Sequence, residues 1–146
     1  CHGARRSHLV FMVAEPQEAL KEWISNKLKQ NFPEDSTFLG QVKGNKLVAV
    51  IGYCNFVGNS CAIHIASEGS HWMDRQLLWA SFDYPFNKLE KKVIVTALDA
   101  NNEKAVRLNR HLGFHIETVI KDAHENGDLM IMTMRKENCR FLKTKE

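Results

Sequence analysis

The sequence predicts one mixed α/β domain, a mostly antiparallel sheet of six or seven strands flanked by three or four helices, in the order β-α-β-β-β-α-β-α-β-β. Three observations carry that prediction. At 146 residues, the chain is the size of one domain that can bury a core without disulfides or metal. Hydrophobic residues make up 44% and charged residues 25%, which excludes a disordered, collagenous or coiled-coil chain. Apolar runs of strand type alternate with runs of helical period, separated by turn residues, with no repeat, low-complexity tract or internal linker.

Leu9 to Ala14 is a compact apolar run and reads as the first strand. Glu15-Pro16-Gln17-Glu18 opens a helix, because proline and acidic residues suit a first turn. Its stripe is Ala19, Leu20, Trp23, Ile24 and Leu28, and Asn31 to Asp35 ends it. Thr37–Lys43, Lys46–Cys54 and Cys61–Ala66 then read as three antiparallel strands joined by turns at Gly44-Asn45 and Val57–Ser60. A helix from about Trp72 to Phe86 follows a polar loop, and Pro85 kinks or ends it. Val93 to Leu98 is the most β-branched run, as expected for a central strand buried on both faces. Asn101-Asn102 caps the next helix, Ala105, Leu108 and Leu112 give its stripe, and Gly113 stops it. Phe114–Lys121 and Asp128–Arg135 close the domain as a hairpin around Asn126-Gly127, with Met130, Met132 and Met134 on one face.

No apolar run approaches the roughly 18 residues of a membrane span, and no signal-type segment stands out, so the expectation is a cytoplasmic protein that does not use a membrane. Net charge is +3, too small to argue for a nucleic-acid partner. That excess sits at one end: from Arg135 on, Arg135, Lys136, Arg140, Lys143 and Lys145 outnumber Glu137 and Glu146 by three, which leaves the body before Arg135 balanced, and residues 136–146 read as a basic C-terminal tail. Cys1, Cys54, Cys61 and Cys139 match no zinc-site spacing. Cys54 and Cys61 read either as buried free thiols or as a disulfide across a hairpin. His111 and His115 flank a Gly-Phe turn and fall on different elements, so no metal site is expected.

The informative stretch is strand, loop, helix, strand, helix between residues 61 and 112. A strand-helix-strand crossover lets its two strands lie parallel. The helix start then offers unpaired backbone N–H groups to an anion. Where the two strands splay, an extended ligand can enter and pair with exposed backbone. The geometry suits a long, phosphate-headed thioester.

This order, with Asn102-x-x-Ala105-x-x-x-Asn109-x-x-x-Gly113-Phe114 and Glu117 after it, resembles the GCN5-related N-acetyltransferases. The resemblance is strongest to the branch acting on ribosomal-protein N-termini or small amines and to small bacterial and phage members. It implies transfer of an acetyl group from acetyl-CoA to a primary amine, on a protein or small molecule, by direct attack. The arm of the co-substrate would follow Ile65, Ala66 and Ser67, and its pyrophosphate would lie over Gly69, His71, Trp72, Met73, Asp74 and Arg75. Asn102 would touch the arm, with Ala105 small enough to let it pass. His64 and Glu68 are the candidates for the base that deprotonates the amine. Many relatives place a Tyr at the position of Asn109 to protonate the leaving thiolate. Asn has no proton to give at a usable pKa, which leaves Tyr84 or water for that role.

The chain departs from the family's phosphate loop, because Ser70 and Trp72 stand where two glycines are usual and Gly69 comes one position early. The alternative is therefore a non-catalytic structural or interaction protein on the same fold. A homodimer contact through the last strand or the Cys139–Leu142 segment is also open.

Overall fold

The computed structural model describes residues 9–69 and 74–143. Seven strands form one sheet: β1 (Val10–Val13), β2 (Thr37–Lys43), β3 (Lys46–Val57), β4 (Ser60–Ser67), β5 (Val93–Asp99), β6 (His115–His124) and β7 (Gly127–Arg135). Their spatial order is β1-β2-β3-β4-β5-β7-β6, and every neighbouring pair is antiparallel except β4 with β5. Among the described residues, three α-helices cover the sheet: α1 (Gln17–Leu28), α2 (Arg75–Asp83) and α3 (Glu103–Leu112). The ten-element order is the one read from the sequence.

α1 lies across β2, β3 and β4, burying Leu20 and Ile24 against Phe32, Phe38 and Val50. Gly40 of β2 leaves room for this close approach. A Cβ there would stand 2.7 Å from Leu20 Cδ2 and 2.9 Å from Leu47 Cδ1. The Gln17 side chain fastens the helix start to β2, donating to Phe38 O at 2.8 Å and accepting from Phe38 N at 2.9 Å. The larger cluster gathers Tyr53, Leu77, Phe82, Phe86, Ile94, Leu112 and Phe114, with Met130, Met132 and Met134 sharing its buried face.

Several boundaries move for physical reasons. α2 begins at Arg75, because Asp74 is its N-cap and accepts from Leu77 N at 3.1 Å. Of the loop residues assigned to the co-substrate, His71, Trp72 and Met73 lie outside the described residues, as does Ser70 beside them. α2 gives way after Asp83 to one wider π-type turn, Tyr84–Lys88, which accommodates Pro85 and its missing N–H. The last hairpin turns at Glu125-Asn126 and not at Asn126-Gly127. Gly127 (φ 143°) becomes the first residue of β7, where a Cβ would meet Asn101 Nδ2 at 2.9 Å. β5 is not buried on both faces: only Ile94 is fully buried, because the strand borders an open cleft.

Cys54 and Cys61 are buried free thiols, and burial pushes Cys61 up to about 11. The tail is folded back in its described part. Lys136–Asn138 and Arg140–Leu142 make two 3-10 turns, Cys139 is fully buried, and Phe141 stacks on Phe82 with centroids 5.3 Å apart.

Candidate active site

β4 and β5 are paired at only three positions, Ser60–Val93, Cys61–Ile94 and Ala62–Val95. Both strands continue, β4 to Ser67 and β5 to Asp99, without further pairing to each other. β4 keeps its partner β3 on the other edge all the way to Ser67. The backbone of Ile63 to Ser67 therefore presents its β5-side donors and acceptors to an opening.

That opening is a cavity of about 440 Å³ that reaches both faces of the sheet. Leu28, Gln30 and His64 line it on the α1 side, and Leu78, Leu108, Leu112 and Phe114 on the side of α2 and α3. Ile65 and Ser67 of β4 face Thr96, Ala97 and Leu98 of β5 across the gap. Ligands in sheets of this kind enter where the strand order is interrupted.

The structure brings His64, Ile65, Ser67, Asn102, Ala105 and Asn109 to this one cleft. His64 lies against Phe32, edge to face, with ring centroids 5.4 Å apart. Burial lowers its pKa, since a charged imidazolium would be poorly solvated there. Asn102 N-caps α3, its Oδ1 accepting from Ala105 N at 3.1 Å. Asn109 points back along α3, its Nδ2 donating to Ala105 O at 3.0 Å. An amide nitrogen carries two N–H groups, so the second can serve a ligand. Gly113 in the left-handed conformation ends α3 and turns the chain so that Phe114 closes the cleft floor.

Other expected site residues stand elsewhere. The Tyr84 ring packs tilted against Tyr53, centroids 4.8 Å apart, and its hydroxyl donates to Thr37 Oγ1 at 3.2 Å beside a different cavity, one lined by Glu15, Glu18 and Glu34. Ala66 is buried under α1. Glu68 is not turned to the cleft. Its carboxylate is held by Lys27 at 2.7 Å and Lys46 at 3.7 Å, and the Lys27 hydrogen bond leads the lowering of its pKa. Gly69 has φ 61°, as a tight turn after β4 requires. Arg75 is exposed at the first position of α2.

Asp74 is the least expected feature. Its carboxylate sits on the N-terminus of α2, accepting from Leu77 N and, at 2.8 Å, from Nε2 of the buried Gln41. Part of the helix terminus expected to meet an anion is thus occupied by the chain's own carboxylate. An Asp before an apolar helical run is an N-cap signal, so this position was readable from the sequence. Gln41 gave no comparable signal, being one polar residue in an alternating strand.

No family model and no curated protein matches the sequence. The architecture is nonetheless a known one: a mixed sheet splayed at its single parallel pair over a through-cleft is the fold of the GCN5-related N-acetyltransferases. Solved structures of spermidine N-acetyltransferase SpeG from Vibrio cholerae share it. The complex with CoA and spermine has a TM-score of 0.69 at 16% identity, covering 90% of this chain and 98% of that one. The form with manganese ions has a TM-score of 0.72 at 17% identity, covering 97% and 99%. A structure of mutant forms of the enzyme gives 0.73 at 17% identity, covering 94% and 100%.

Proposed function

We propose that this chain is an N-acetyltransferase that moves an acetyl group from acetyl-CoA to a primary amine by direct attack. The observation that carries the reading is the cleft itself. It passes through the sheet, offers unpaired β4 backbone along one wall, and places a half-buried histidine on the side opposite α2 and α3. A thioester arm entering between the strands pairs with the β4 edge, and an amine approaches from the α1 side to meet His64. The similarity to SpeG bound to CoA and spermine supports a donor and an amine acceptor of these kinds.

In this reading the amine nitrogen attacks the thioester carbonyl carbon, forming the C–N bond as the C–S bond breaks. His64 takes the proton that the amine loses. Because burial keeps its imidazole neutral below the usual range, it is ready to accept that proton at neutral pH. A backbone N–H near Ile65 steadies the developing oxyanion. Asn109 donates a hydrogen bond to the leaving sulfur, and water supplies the proton that the thiolate finally takes up. Titration calorimetry with CoA and acetyl-CoA, followed by a thiol-release assay with a panel of primary amines, tests the proposal. Micromolar binding and amine-dependent CoA release are expected. No heat at millimolar ligand would sink it.

One observation favours a second reading, a non-catalytic protein on this fold. The Asp74 carboxylate occupies the place where an anionic pyrophosphate is expected, and like charges repel. The same calorimetry decides between the two.

A further inference from the structure

We infer that Glu68 is a positioning residue, a clasp that fixes the end of β4 against α1 and β3 at the mouth of the cleft. The inference rests on the acetyltransferase reading and assigns Glu68 away from proton transfer. Three contacts converge on this one residue. Its Oε2 meets Lys27 Nζ at 2.7 Å, its Oε1 meets Lys46 Nζ at 3.7 Å, and its backbone N donates to Val48 O at 2.8 Å. The Lys27 ammonium is itself steadied over the Trp23 ring, 5.2 Å from its centroid. The partners on both sides adjoin the cleft: Leu28 follows Lys27, Ser67 precedes Glu68, and each lines it. The clasp thus ties two lining segments, the end of α1 and the end of β4, on the edge of the gap left where β4 has no β5 partner beyond Ala62.

A base needs a free lone pair facing the amine and a pKa near working pH. Glu68 has neither, as two ammonium groups hold its carboxylate and lower its pKa. What the pair can do is set the width of the mouth. Its side chains are 40% and 35% exposed, so its effect is modest and is screened by salt.

The experiment compares wild type with Glu68→Gln, Lys27→Met and the double variant, reading KM for acetyl-CoA, kcat against pH, and the dissociation constant of CoA. Each single variant should raise KM and the dissociation constant about two- to fivefold, the range open to an exposed ion pair. In each, kcat should stay within about twofold, with an unchanged pH profile. The double variant should be no worse than either single one, and about 0.5 M sodium chloride should erase the difference from wild type. A fall in kcat of about a hundredfold with a shifted acid limb would make Glu68 the base and overturn the inference. Unchanged constants, or strictly additive effects, would overturn it too. If wild type binds no CoA, the acetyltransferase reading fails, and hydrogen exchange at the Glu68 amide then decides alone: equal protection in wild type and Glu68→Gln refutes the clasp.

Discussion

His64 shows how one residue's surroundings set its chemistry. It sits on a strand whose neighbours Ile63 and Ile65 are apolar, under the edge of Phe32, and burial lowers its pKa from the usual value near 6.5. Two consequences follow, with signs that can be checked. The acid limb of kcat/KM should lie below pH 6.5, because the neutral form persists further into acid. Replacing His64 by Gln should cost about 10²–10⁴ in kcat, the usual weight of a general base, and remove that limb. Stability runs the same way: unfolded chains bind the proton first, so wild type should lose stability relative to His64→Gln as pH falls from 6.5 toward the folded pKa. Melting both proteins across that range tests it. That Asn102, Ala105 and Asn109 would come together with His64 was implied by the family resemblance along α3 and by strand alternation, and all four line one cleft. Leu28, Gln30 and the Thr96–Leu98 wall were not legible in the sequence, because a lining is set by how elements pack and leaves no local pattern.

The same limit holds among the elements. All ten were legible, because turn residues separate the apolar runs, as at Gly44-Asn45 between two strands, and because the apolar period changes between helix and strand, as at Gly113. Ends were less so. The start of α2 depends on which polar residue of a polar loop turns its side chain onto the helix, and Asp74 does so with help from Gln41, thirty-three positions away. That cap supplies a test of how α2 meets an anion. Asp74→Asn keeps a good N-cap while removing the charge. If the α2 terminus faces the pyrophosphate, the variant should bind CoA several-fold more tightly, with the wild-type melting temperature. Unchanged affinity in calorimetry would place the phosphates elsewhere.

Over the whole molecule, the described part of the basic last segment completes the core. Cys139 is buried, Phe141 stacks on Phe82, and Arg140 Nη2 donates to His111 O at 2.7 Å, holding the tail to α3. A chain ending after Arg135 should lose on the order of 3 kcal/mol, the scale of deleting a large buried aromatic, and melt roughly 10 °C lower. An unchanged thermal transition would show the tail to be an ornament. The splayed strands have a further meaning at this scale. β3 and β4 are joined by seven residue pairs, whereas β4 and β5 share three. The sheet is therefore two half-sheets stitched along a short seam, and the missing rungs lie where a ligand's amides would fall. A guest in the gap serves as an eighth strand that the sequence does not encode, so occupancy and the cohesion of the two halves become one equilibrium.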